Sequence, residues 1–287
     1  MRTFTRFACF DWSGQNIARP KGIALALADA NGPPRLEDRR WSRGDALDWL
    51  LQQADKGEPM LIGLDLSPGF PFVDRGAYFP GWDDSPADAK ALWRAVDEAS
   101  AGDRHLASSG FVKHEQAGRH FLHQTGAGEE WAGGGGRLRQ CEKAQLPMEL
   151  SPYSCLRLIG AAQVGKSSLT GMRVLHRLAS RIPVWPFDPV PDTGPLIVEV
   201  YTSIAARAVG IRKGLSKIRN RDSLELALGK LGSPPPETLA RYDIDHHTDA
   251  LLTVAWLRRH AHDEKLWAPR DREAEAACTE GWTFGVP

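Results

Sequence analysis

The sequence predicts an α/β protein, and three observations carry the prediction. Short apolar runs bounded by Gly or Pro alternate with amphipathic stretches along most of the 287 residues. Acidic residues recur in those runs: Asp11 closes FACFDWSG, Asp65 closes MLIGLDLSPG and Glu199 sits inside PLIVEVYTS. A late helix opens on two more acids, Asp245 and Asp249, ahead of ALLTVAWLRR. Strands alternating with helices bury a sheet between helical layers. An ionised carboxylate at the edge of such a sheet is costly unless it is paired or bound to a cation.

Taken in order, the chain opens as strand, turn, strand, strand: RFACFDWSG, KGIALALAD and PRLEDRRWS, broken by Gly14, Pro20, Asn31, Gly32 and Pro33. This reads as an antiparallel meander. GDALDWLLQQADKG is a helix, with Leu47, Leu50 and Leu51 at helical spacing and Gly57 placed to stop it. The strand MLIGLDLSPG follows, so a right-handed crossover delivers Asp65 beside Asp11. From about residue 68 to 152 the pattern loosens into an aromatic, turn-rich stretch with one clear helix, DSPADAKALWRAVDEAS, and the glycine run Gly133 to Gly136. A stretch of that kind reads as an insertion lying over the site. Order resumes with the strand SCLRLIG, the helix SSLTGMRVLHRLAS, the strand PLIVEVYTS and the helix SIAARAVG. The helix SLELALGKLG and a closing helix from about Thr248 to His260 complete a single domain over residues 1–287.

Composition bounds the function. Hydrophobic residues make up 42% of the chain, ample for a core. The apolar runs fall well short of the roughly 20 residues a membrane helix requires, and the opening residues lack a signal peptide's apolar centre. A cytoplasmic protein with no membrane partner is the expectation. Cys9, Cys141, Cys155 and Cys278 are far apart and form no CxxC pair, so thiols are expected rather than disulfides or a zinc site. The 36 basic and 36 acidic residues balance, which argues against nonspecific electrostatic binding to nucleic acid. One local exception is the stretch from Arg207 to Arg221, where Arg212, Lys213 and Lys217 occur with no intervening acid and read either as a solvated face or as a phosphate-binding surface.

Asp245 and Asp249 are four apart, and His246 and Asp249 three apart, so either pair can share one helical face. Taken singly, Asp245 or Thr248 could merely cap the helix. Taken with Asp11, Asp65 and Glu199, these residues predict a site for Mg²⁺ or Mn²⁺, because oxygen ligands select hard cations. Two such ions about 4 Å apart can activate water and stabilise the leaving oxygen of a phosphodiester. Glu199 is the ligand whose strand alternation aligns it with Ile197 and Tyr201. A second signal is GAAQVGKS, Gly160 to Ser167, which fits the phosphate-loop pattern GxxxxGKS. There Lys166 would reach phosphates and Ser167 a Mg²⁺ ion. His114, His120 and His123 read as structural, and Trp12, Trp82 and Trp131 as packing residues.

The order of elements, three strands with the first Asp, a helix, a strand with the second acid and a terminal helix with the last, resembles the RNase H-like superfamily. More specifically, FACFDWSG, LIGLDLSPGFPF, IVEVYTSIAARAVG and HHTDALLTVAWLRR resemble the predicted RNase H-like nucleases grouped as domain of unknown function 429. These segments span most of the chain apart from the insertion. The acid-Ala-Leu start of the last helix also looks like that of Holliday-junction resolvases, where another Asp or His stands one turn earlier; Asp249 matches the last acid, and His246 and Asp245 compete for the earlier place. The resemblance implies a mixed central sheet flanked by helices and a metal-dependent nuclease acting on nucleic acid or a nucleotide. Asp11, Asp65 and Asp249 would bind metal, Asp245 or His246 would complete the shell or move a proton, and Lys166, Ser167, Arg212, Lys213 or Lys217 would contact phosphate. The rival readings are a phosphate-loop NTPase or kinase, and a noncatalytic nucleic-acid or protein-binding module on the same scaffold.

Overall fold

The computed structural model describes residues 2–123, 126–127, 131, 135–160, 163–211, 218–238, 244–269 and 274–287. Its first strand, β1 (Arg6–Asp11), is buried on both faces: Ala8 and Phe10 enter one core cluster, Phe7 and Cys9 the other. β2 (Ala24–Asp29) lies antiparallel to β1, and β3 (Arg35–Leu36) antiparallel to β2. The expected meander forms, but its third strand keeps only two paired residues. Glu37, Asp38, Arg39 and Arg40 follow it directly, and charge of this kind blunts a sheet edge.

Helix α1 (Arg43–Lys56) is fixed at both ends. Ser42 and Asp45 form a capping box, the Asp45 amide donating to Ser42 Oγ at 3.0 Å and the Ser42 amide to Asp45 Oδ2 at 2.8 Å. Gly57 closes the helix in the left-handed region at φ 63°. β4 (Met60–Leu64) then runs parallel to β1, with Phe10 opposite Leu64. The crossover expected from the sequence is therefore present, and the next register position pairs Asp11 with Asp65.

The stretch after residue 68 contributes side chains to the core. It carries α2 (Ala89–Ala99), the short α3 (Ser109–Val112), the two-residue strands β5 (Leu122–His123) and β6 (Gly126–Ala127), and α4 (Gln140–Gln145). Phe70, Tyr78 and Phe79 are fully buried in the same cluster as Phe10 and Ile62. Aromatic residues that looked like loop composition are core side chains. The run SCLRLIG, expected as a strand, stays outside the main sheet and makes one parallel bridge between Leu122 and Arg157. Leu156 and Leu158 are nonetheless buried. The apolar run recorded burial, and burial does not by itself imply sheet pairing.

Helix α5 (Val164–Arg177) packs on α2 and α1. β7 (Val184–Trp185) and β8 (Leu196–Glu199) complete the sheet, in the order β3-β2-β1-β4-β8-β7, with β8 parallel to both β4 and β7. α6 (Thr202–Ala208), α7 (Arg221–Lys230) and α8 (Asp245–His260) cover the second face, and the short α9 (Glu264–Trp267) and α10 (Ala274–Cys278) follow. The closing helix begins at Asp245, three residues before the expected Thr248, so both acids and His246 are helical. Gly63 lets α8 close on the sheet, since a Cβ there would lie 2.8 Å from Leu257. The architecture is thus an α/β layering of a mixed six-stranded sheet between helices. Among the described residues no helix is long and apolar enough to cross a membrane.

The contact between α2 and α5 contains a buried charge pair that can be tested by titration. Arg173, 1% exposed, donates from Nε to Asp97 Oδ1 at 2.8 Å. Burial alone would raise the Asp97 carboxyl, but the hydrogen bonds and charges of Arg173 and Arg177 outweigh it and hold it below its ordinary range. A depressed folded value means the stabilisation is complete above the unfolded value near ~3.9 and fades as pH falls through the folded one. Asp97→Asn is expected to lower stability by about 1–3 kcal/mol at neutral pH. The gap between variant and parent melting temperatures should then narrow below about pH 4. A gap that is constant from neutral to acid pH would remove Asp97 from this role.

Candidate functional site

The carboxyl ends of β1, β4 and β8 and the first turns of α5 and α8 meet around a cavity of about 350 Å³. Asp65, Lys166, Ser167, Glu199 and His246 line it, with Arg139, Glu142 and Tyr201. Sequence dictates most of this placement. Asp11 shares strand parity with Phe7 and Cys9, so its side chain lies on the α8 side of the sheet. Asp65 follows β4 with the same parity as Leu61, and its amide donates to Phe10 O at 2.9 Å. Helix α8 crosses β1 and β2. It brings His246 Nδ1 to 3.1 Å from Asp11 Oδ1, and Asp249 follows one turn on.

The Cys9 thiol lies within the electrostatic reach of three of these acids. Burial pushes it well above its usual value, and the negative charges of Asp65, Asp11 and Asp249 push it further. Three carboxylates from β1, the end of β4 and α8 therefore act on one buried point. The Tyr201 hydroxyl is likewise raised, chiefly by burial, with Asp65 among the charges that contribute. Asp11 is 5% exposed, whereas the His246 side chain is 42% exposed and faces the cavity.

Lys166 and Ser167 stand in the first turn of α5. Gly14, just beyond β1, lies against that turn so tightly that a Cβ would come within 2.3 Å of the Lys166 carbonyl carbon. Only glycine permits the approach, and it sets Lys166 beside the end of β1. The segment preceding this helix is not a strand of the central sheet, which removes the strand-loop-helix context that a phosphate loop needs.

The remaining expected residues have other partners or lie elsewhere. Asp245 is held by Arg219 through two hydrogen bonds, of 2.9 and 3.2 Å, which separates it from its helical neighbour His246 at the cavity. It does not cap α8 with its side chain; Ile244 occupies the cap position. Glu199, expected as a metal ligand, has another role. Arg139 grips it through both terminal nitrogens, at 2.8 and 2.6 Å, and Thr283 Oγ1 donates to it at 2.8 Å. It packs on the Ile197 side of β8, away from the parity of Asp11 and Asp65. Arg212, Lys213 and Lys217 lie outside the described residues. Trp12 and Trp131 are buried, Trp12 Nε1 donating to Thr170 Oγ1 at 3.1 Å, so they are packing residues.

Arg139 and Glu142 are the site residues that the sequence reading missed. Arg139 is 1% exposed and spends all five N–H groups: on Glu142, twice on Glu199, on Ser67 Oγ and on Glu280 O. Burial raises the Glu142 carboxyl, offset in part by the Arg139 charge. An Arg and a Glu three apart at a helix start were the available local signal, and they do form the second half of a capping box. Their partner Glu199 is 60 residues from Arg139, beyond any local pattern.

Among the described residues no set of three or more His, Cys, Asp or Glu side chains is arranged to hold a metal ion. No protein-family model, curated protein or solved structure matches the chain.

Proposed function

We propose that the chain is an RNase H-like nuclease that hydrolyses phosphodiester bonds with Mg²⁺ or Mn²⁺ bound by Asp11 and Asp65. The observation that carries this reading is the parallel register of β1 and β4, Phe10 opposite Leu64, which sets the two acids side by side at one sheet edge. Its strongest support beyond that is the shared action of Asp65, Asp11 and Asp249 on Cys9. The strand order, with an antiparallel first three and parallel β4 and β8, and the acid on α8 agree with the resemblance drawn from the sequence.

The donor chemistry fits the ion. Carboxylate oxygens suit Mg²⁺ and Mn²⁺, and Mg²⁺ is commonly held by one or two carboxylates, with water and substrate phosphate filling the rest of its shell. A cage of three protein ligands is therefore not a requirement. When bound, the ion would activate water and neutralise charge on the scissile phosphate. Asp11 orients the His246 ring through Nδ1, and His246 lines the cavity, where an imidazole can take a proton from water or return one to the leaving oxygen. Lys166 contributes a positive charge to the cavity lining, where a phosphate oxygen can be bound. Glu199 is withdrawn from the ligand set because Arg139 already neutralises it.

The test is cleavage of DNA and RNA, unpaired and duplex, by the purified chain in Mn²⁺ and in EDTA. Cleavage that depends on Mn²⁺ and on Asp65 supports the nuclease. Mg-ATP binding that Lys166→Ala removes, with no cleavage of any substrate, would favour the phosphate-loop reading. Binding that survives neutralisation of the acids, again without cleavage, would favour a noncatalytic module.

A further inference from the structure

A second groove, of about 1020 Å³, adjoins the acidic cavity and shares Gly14, Gln15, Gln163 and Lys166 with it. Its volume lies at the top of the range for small-ligand pockets, roughly 300–1,000 Å³. Leu158 and Leu169 are buried within its lining, and Ile17 stands 47% exposed on it. Its cationic side chains are Lys113, Arg119 and Lys166, set against Glu115 as the one carboxylate among the described lining residues. The groove thus combines an apolar surface with a positive border, and it opens onto the acids.

Two details of construction point to a ligand. Ser108 lines the groove at 7% exposure, and its Oγ has no hydrogen-bond partner. A buried hydroxyl without a partner is uncommon and calls for a ligand or water to satisfy it. The wall leading to Ser108 contains two consecutive non-glycine residues in the left-handed region, His105 at φ 60° and Leu106 at φ 52°. Such strain persists only where the surroundings enforce it, and it gathers at ligand clamps. Buried Arg43 does the enforcing: it donates to His105 O at 2.7 Å and to Ser13 O at 2.9 Å, tying one wall of the groove to the loop after β1.

We propose that this groove receives an unpaired nucleic-acid strand and leads it to the acidic cavity. Base faces lie on the apolar surface, which a duplex could not offer because its bases are stacked inside. Backbone phosphates follow Lys113, Arg119 and Lys166. The inference rests on the nuclease reading for where the strand leads, while binding is measured without any cleavage.

Fluorescence anisotropy of a short labelled oligothymidylate with the full chain in EDTA tests it, with a duplex of equal length for comparison. The unpaired strand should bind at least about tenfold more tightly than the duplex, as expected where exposed bases add contacts to the phosphates. Joint Lys113→Ala and Arg119→Ala substitution should weaken binding by about tenfold or more and reduce the slope of log affinity against log salt by about 1.4. Equal or tighter binding of duplex, or unaltered affinity in the double variant, would overturn the groove. If the oligomer binds as described yet no substrate is ever cleaved in Mn²⁺, the nuclease reading fails while the groove stands.

Discussion

Asp65→Asn is expected to reduce Mn²⁺-dependent cleavage by about a thousandfold or more while the protein remains folded. The activity loss follows from removing a charge that stabilises the transition state in a partly desolvated cavity, where such groups act most strongly. Asn keeps the size of the side chain and leaves untouched the 2.9 Å bond from the residue 65 amide to Phe10 O, so the local backbone is retained. Cleavage kinetics and thermal melting of one preparation measure activity and folding. Cleavage at the parental rate would take Asp65 out of the mechanism, whatever the melting temperature.

Arg139→Met is expected to cost about 3–5 kcal/mol of stability, because it leaves buried carboxylates without their counter-charge. Glu142 and Glu199 are 4% and 5% exposed at their side chains, and one guanidinium serves both. The pH dependence carries the sign of the effect. Glu142 already sits above its ordinary value through burial, so the folded state holds its proton more tightly than the unfolded one. Stability from such a group is complete below the unfolded value, near ~4.3, and declines as pH rises through the folded value. Removing the Arg139 charge takes away what offsets burial at Glu142, which raises that carboxyl further and widens the window. The deficit of the variant in urea unfolding should therefore shrink on going from neutral to mildly acid pH, and a second change, Glu199→Gln, should recover part of it. A deficit below about 1 kcal/mol at neutral pH would mean that the network contributes little. These two substitutions separate the two kinds of acid in the cavity: one group whose removal costs activity, another whose partner holds the fold.

The half of the site formed by Asp11 and Asp65 was legible in the sequence because each acid ends an apolar run with clear Gly or Pro punctuation, and one crossover helix fixes their strands as parallel neighbours. His246 was legible as one of two candidates, and packing of α8 on β1 distinguishes it from Asp245. Glu199 is the instructive case. Its alternation with Ile197 already placed it on the other face of the sheet, and the buried cation that claims it comes from a distant turn. Long-range ion pairs leave no local pattern. Helix α8 starts at Asp245 rather than near Thr248, and Ile244 precedes it with no side-chain cap, so no capping residue marks its start in the sequence. The end of the chain held a readable signal, since Trp282, Phe284 and Val286 alternate at period two and are all buried, with Thr283 bridging to Glu199. The groove beside Lys166 could not have been read at all. Its walls come from segments as far apart as Gly14, Ser108 and Leu158.

The central claim is that Asp11 and Asp65 bind one hard cation at the carboxyl edge of the sheet. Anomalous diffraction from crystals soaked in Mn²⁺ tests it most directly. The account expects a peak between these two side chains, lost in the Asp65→Asn variant; a peak beside Lys166 and Ser167 instead, or none at a concentration that supports cleavage, would contradict it.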